Sequence, residues 1–183
     1  MVLLWDVSTG TPQPLPGGTP GHTGSVLSLA FTRDSQILAT ASTDSTVILW
    51  NVQDPSDPKR VGSRLNGNDN LASVGFSLDG KTLVTGARDG TATLWDLTDR
   101  ALPQRLQEPL PGRHGTLWSV AVSPDSGILA ASDNAGLVLW DLADLRDLRE
   151  DPTARACSLT GHGLSHDEWS RYIPGLQPEE TCP

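Results

Sequence analysis

The sequence predicts an all-β chain of many short strands in repeated units, followed by a short helical tail. Short Val-, Ile- and Leu-rich segments are punctuated throughout by Gly, Pro, Thr, Ser and Asp, the pattern of brief strands joined by tight turns. Helix-favouring runs are scarce before residue 143. Four similar segments, VLLWDV (2–7), VILWNV (47–52), ATLWDL (92–97) and LVLWDL (137–142), set Trp5, Trp50, Trp95 and Trp140 45 residues apart each time.

A constant interval of this length implies one structural unit per repeat, and a Trp-Asp or Trp-Asn pair closes a strand in each unit. The pattern, recurring in phase over residues 1–142, resembles the WD-repeat β-propeller family. The resemblance implies blades of four antiparallel strands, a to d. Residues 1–20 then hold strands c and d of an incomplete blade. The first full blade, 21–65, has a Gly-His turn, strand a (about Ser25 to Phe31), the hairpin TRDSQ, strand b (Ile37 to Ser42), the turn TDS and strand c. The second, 66–110, repeats the order in NLASVGFSLDGKTLVTGARDGTATLWDL. Residues 111–142 supply strands a to c of a third in GTLWSVAVSPDSGILAASDNAGLVLWDL. Strand d of the full blades falls in KRVGSRL and LPQRLQEPL. One such sheet cannot bury both faces alone, and stacking does so; hence strands such as VILW are apolar at successive positions.

These strands make about three and a half blades, short of the roughly four to eight with which a propeller closes. The expectation is therefore a partial, open propeller, the C-terminal part of a longer one. Its uncovered blade faces are expected to drive self-association.

The tail, 143–183, reads as helical. Asp151 is placed as an N-cap with Pro152 at the first helical position and Gly161 as a stop. Ser165 and Glu168 are spaced as a capping box, with Trp169, Tyr172 and Ile173 on one face. Its AC, LS..EW..Y.PG and terminal Cys-Pro resemble the C-terminal ends of large actinobacterial WD-repeat proteins. Such chains commonly carry a signalling NTPase of the STAND type, which implies a sensor or autoinhibitory region as the alternative function.

The family's structural tetrad joins a turn His, a strand-b Ser or Thr, a turn Asp and the strand-c Trp. Carried onto the first full blade it falls on His22, Ser42, Asp44 and Trp50, with Thr40 of the same strand parity as Ser42. In the second blade Gly67 or Asn68 stands at the His position and Ala87 at the Ser position, leaving Asp89 and Trp95. This incomplete set predicts that the second blade is the least rigid. In the third, His114, Ser132 and Trp140 fit, Asn134 replaces the Asp, and one residue is missing. A His-Ser-Asp set also invites a hydrolase reading. Its order and spacing fit a chain of buried hydrogen bonds instead, with no nucleophile turn or oxyanion hole, so no catalytic residue is expected.

GFSLDGKT (75–82) matches the phosphate-loop pattern letter for letter. A phosphate loop must open a helix whose N–H groups face the anion. Here LVTGA, a strand, follows, and SLDGK occupies the place of TRDSQ and SPDSG, so Lys81 is assigned to a hairpin tip and no nucleotide or other cofactor is expected. Cys157, His162, His166 and Cys182 are spaced C-x4-H-x3-H-x15-C, which fits no zinc finger well, and no metal site is assigned to them.

The formal net charge is −9 with no dense Lys/Arg run, which argues against nucleic acid as a partner. No apolar run of membrane-spanning length and no secretion leader is visible in the sequence, and the expected setting is cytoplasmic. The function the resemblance implies is a protein-protein interaction platform. Its contact rim is read at the d–a and b–c turns: Thr23, Thr43, Asp44, Asn68, Arg88, Asp89, Arg113, His114 and Asn134.

Overall fold

The computed structural model describes residues 4–7, 10–15 and 21–142. The chain divides into two compact units, Met1–Trp140 and Asp141–Pro183, and the sheets lie in the first, the last strand ending one residue into the second. The helices expected in the tail and the cysteine–histidine set fall outside the described residues. Every regular element among the described residues is a strand.

Strands β1 (Trp5–Asp6) and β2 (Gln13–Pro14) form an antiparallel pair. A four-stranded sheet follows, with β3 (Val26–Phe31), β4 (Ile37–Ser42), β5 (Thr46–Asn51) and β6 (Lys59–Asn66) in sequence order. In the next sheet β7 (Leu71–Phe76), β8 (Thr82–Ala87) and β9 (Thr91–Asp96) lie side by side. Its outer edge is made by two short strands, β10 (Gln104–Arg105) and β11 (Leu110–Pro111), which both pair with β9. The last sheet holds β12 (Ser119–Val122), β13 (Ile128–Asp133) and β14 (Gly136–Asp141).

The outer strand departs from a simple ladder in both complete sheets. Val47 pairs with Leu65 and Leu49 with Val61, so the outer strand carries extra residues there. Gly62, at φ 63°, accommodates this bulge without ending β6. At the matching place in the second sheet Pro109 has no N–H to offer the ladder, and the strand breaks into β10 and β11.

Sheets meet along their first strands: β3 lies beside β7, and β7 beside β12. Serines at one repeating position make the contact. The Val74 N–H donates to Ser28 Oγ at 3.2 Å, and Ser73 Oγ donates to the Leu117 carbonyl at 3.1 Å. Away from this axis the gap is filled with apolar side chains. Ile37, Val47, Leu49 and Leu65 of the first sheet pack with Leu71, Val74, Leu83 and Trp95 of the second. On its other face the first sheet buries Leu38, Ile48, Trp50 and Val52, with Leu4 packed against them. All six residues of β4 and of β8 are buried, whereas β13 alternates along its length. Sheets covered on both faces give continuous runs, and a sheet covered on one face alternates.

Candidate functional site

Each a–b hairpin is built by the same local chemistry. Thr32, Ser77 and Ser123 open the turns, and their hydroxyls accept from the N–H groups of Ile37 (3.1 Å), Thr82 (2.9 Å) and Ile128 (2.9 Å). The same hydroxyls donate to the turn aspartates Asp34, Asp79 and Asp125 at 2.5, 2.5 and 2.6 Å. These bonds are Asx- and Ser/Thr-type, which is why Asp recurs at the middle of each turn. The residue after it takes a left-handed conformation: Ser35, Gly80 and Ser126 at φ 59°, 69° and 58°. GFSLDGKT is thus the end of β7, a turn and the start of β8. The Gly80 N–H donates to the Ser77 carbonyl (3.0 Å) and the Lys81 N–H to Asp79 Oδ1 (3.0 Å), so both are spent inside the turn. That is incompatible with a phosphate cradle, which needs its amide groups free and a helix behind them.

An open cleft of about 390 Å³ lies between the first two of these hairpins, lined by Thr32, Arg33, Asp34, Leu78, Asp79, Gly80 and Arg100. Arg100 Nη2 stands 3.8 Å from Asp34 Oδ2 across it. The Thr32 hydroxyl, the Gln36 N–H and the Arg100 charge hold the Asp34 carboxyl below its ordinary value.

At the opposite strand ends, the first complete sheet carries a continuous hydrogen-bond chain. The indole N–H of Trp50 donates to Thr40 Oγ1 at 3.0 Å, and the same oxygen lies 2.8 Å from His22 Nε2. His22 Nδ1 meets Asp44 Oδ2 at 3.1 Å. His22 Nε2 also lies 3.2 Å from the Thr40 carbonyl and Nδ1 3.1 Å from Thr46 Oγ1, so the one ring links strand b to the b–c turn. Asp44 also accepts from the Thr23 N–H (2.8 Å) and from the Thr46 N–H (3.1 Å) and hydroxyl (2.7 Å). Burial raises its carboxyl, but the hydrogen bonds from Thr46, Thr23 and His22 outweigh it and hold the group well below the usual carboxylate range.

The hydroxyl in this chain belongs to Thr40, not to Ser42. Both point to one face of β4, but Ser42 lies at the strand end, where its Oγ accepts the Asp44 N–H at 3.1 Å. In the second blade the Trp95 indole donates to Thr85 Oγ1 at 3.2 Å, so the loss of a Ser at Ala87 removes nothing from that bond. Gly67 occupies the histidine position, where a Cβ would come within 2.7 Å of Leu71 Cδ2. Asp89 accepts from Thr91 N–H (2.9 Å) and hydroxyl (2.7 Å), the counterpart of Asp44 and Thr46.

The third blade departs further. Counted from its a–b hairpin, Ala131 takes the place of Thr40 and Thr85, and Ser132 lies one residue on. Its side chain therefore projects to the other face and cannot join Trp140. Asp133, not Asn134, holds the turn: its carboxylate accepts from Ala135 N–H (2.7 Å), Gly136 N–H (2.9 Å) and His114 N–H (3.2 Å). These bonds, that of Ala135 first, keep the Asp133 carboxyl below its usual value. The missing residue is thus in the β13–β14 turn, and counting back from Trp140 misplaces the Asp by one. The His114 ring is exposed and makes no hydrogen bond among the described residues.

Two arginines that the repeat pattern does not single out tie the outer strands to the rim. Arg64 Nη2 donates to the Gly21 carbonyl at 2.5 Å, and Arg105 Nη2 donates to the Asn66 carbonyl at 3.2 Å and Asn68 Oδ1 at 3.1 Å. Gly21 and Asn66 are equivalent, each preceding the histidine position. The Arg105 guanidinium also lies over the Trp95 ring, 5.2 Å from its centroid.

The rim residues fall into three groups. Thr23 and Thr43 converge on the first blade's b–c turn, Thr23 binding Asp44 and Thr43 Oγ1 accepting the Ser25 N–H at 3.0 Å. Asn68 is held by Arg105. Arg88, Arg113, His114 and Asn134 gather between the second and third blades. There the Thr116 hydroxyl donates to the Arg88 carbonyl (3.4 Å) and the Asn134 N–H to the His114 carbonyl (3.3 Å). Among the described residues, no group of three or more His, Cys, Asp or Glu is placed to hold a metal, and no helix is long and apolar enough to cross a membrane.

A family model described as WD domain, G-beta repeat matches residues 15–51, 59–96 and 105–141, more than half of the chain. No curated protein matches it.

Proposed function

Because the chain belongs to the WD-repeat family, whose members are generally protein-interaction platforms without catalytic activity, we propose that it binds a protein partner through the rim of d–a crossings and b–c turns. The observation that carries this is the exposure of polar side chains from three blades at strand ends whose turns are fixed by hydrogen bonds. A rigid scaffold with variable loops at one edge suits recognition better than chemistry. Thr23, Asn68, Arg88 and Arg113 are all exposed there. Photo-crosslinkers placed singly at Thr23 and Asn68, and at Arg33 and Lys81 on the opposite edge, test the reading. Capture of a defined partner from the rim positions alone supports it, and capture from the opposite edge alone overturns it.

In this proposal the chain is the C-terminal part of a longer propeller with a cytoplasmic, signalling role. Apolar side chains left exposed on β3 of the first blade and on the third blade support the first point. The tail sequence motivates the second reading, a sensor or autoinhibitory region of a STAND-type NTPase. A nucleotide-binding domain in the same reading frame upstream would favour that reading, and its absence would count against it.

A further inference from the structure

We propose that the rim between the second and third blades is built to take an acidic peptide segment bearing a bulky apolar side chain, with Trp118 as its anchor. This rests on the platform reading and names the partner chemistry. Trp118 is 54 % exposed, although it directly precedes an inner strand. Its indole N–H donates to Asn134 Oδ1 at 2.7 Å. An indole is a donor only, so this bond fixes both the ring and the amide orientation, leaving the Asn134 –NH2 turned away from the indole. The ring therefore presents its apolar face already ordered, which lowers the entropic cost of using it as a contact.

The surroundings are cationic and stitched together. The Gly112 N–H donates to the Gly90 carbonyl at 2.7 Å and the Thr116 hydroxyl to the Arg88 carbonyl at 3.4 Å, joining the loop before β12 to the β8–β9 turn. The His114 N–H and carbonyl join the same loop to the β13–β14 turn. Arg88 and Arg113 are both exposed, and neither side chain makes an ion pair or hydrogen bond within the described residues. The nearby carboxylates are committed, Asp89 to Thr91 and Asp133 to three backbone N–H groups. In a chain of net charge −9, two uncommitted guanidinium groups beside an ordered indole and an amide donor favour carboxylates flanking an apolar residue. Tryptophan and arginine are also the residue types that concentrate binding energy at interfaces.

The probe is a dye-labelled glutamate-rich peptide with one central leucine, titrated against the full chain by fluorescence anisotropy beside its lysine-rich counterpart. The acidic probe is expected to bind saturably, more weakly as salt rises, and the lysine probe not to bind. Arg88→Ala with Arg113→Ala, and separately Trp118→Ala, should each weaken binding about tenfold or more. Trp118→Phe, which keeps a ring but loses the Asn134 bond, should retain part of it. Equal binding of the two probes, no saturable binding of the acidic one, or unchanged affinity in either alanine variant overturns the proposal. If crosslinkers at Thr23 or Asn68 still capture a partner while the acidic probe fails, the platform reading survives and this one does not.

Discussion

Thr40 serves two neighbours at once. It accepts the Trp50 indole N–H and meets His22 Nε2, both inside a fully buried strand. Thr40→Val keeps the shape but leaves the buried Trp50 indole N–H without its acceptor and His22 Nε2 with the Thr40 carbonyl alone, which should cost about 1–3 kcal/mol. Ser42→Ala loses one bond to the Asp44 N–H and should cost about 1 kcal/mol or less. Urea unfolding of the two variants checks this, and a larger loss for Ser42→Ala would return the role to that residue. The limits of legibility are plain at this scale. Thr40 and Thr85 stand the same distance before their tryptophans, so the 45-residue period marks them as equivalent. Parity alone could not choose between Thr40 and Ser42, because both face the same way along the strand. Asp133 was hidden for another reason, since a one-residue deletion in a turn shifts every count taken across it.

A blade's rigidity depends on what covers it as well as on its polar chain. The sequence alone points to the second blade as least rigid, since it lacks the histidine and the Ser. The structure supplies two compensations that residue types do not reveal. Thr85 keeps the tryptophan bond, and Arg105 bridges Asn66 and Asn68 over the Trp95 ring. All of β8 is buried, while β13 buries every second residue and β14 buries Val138 alone. Amide exchange should therefore be slowest in β4, β5, β8 and β9 and fastest in β12 to β14. Arg105→Ala should speed exchange at residues 66–70 with little change in β4. Protection in β13 equal to that in β8 would show that coverage matters less than argued. Strand positions and hairpin turns were readable because side-chain period and turn chemistry are local. The arginine ties were not, because the donor and the carbonyl it holds are roughly a whole repeat apart.

At the scale of the whole molecule, two sets of apolar side chains stand exposed among the described residues, one on the third blade and one on β3, and the equivalent positions meet between the first and second blades. Between the first and second blades, Ile37, Val47 and Leu49 are buried against the next sheet. Their equivalents on the third blade are Ile128, Leu137 and Leu139, exposed at 46 %, 66 % and 59 %. On the other side, Leu27, Leu29 and Phe31 of β3 are exposed at 44 %, 60 % and 50 %. Burying such residues is worth about 1.5–3 kcal/mol each, so leaving both faces wet is costly. In the absence of further blades, the third blade of one copy should pack on β3 of another, a head-to-tail contact that can build chains as well as rings. Size exclusion with light scattering should find this chain above monomer mass, with the mass rising with concentration. Leu137→Glu with Leu139→Glu, or Leu29→Glu with Phe31→Glu, should each lower it, because a head-to-tail contact needs both faces. A sharp monomer that is indifferent to either pair would mean that something else covers them.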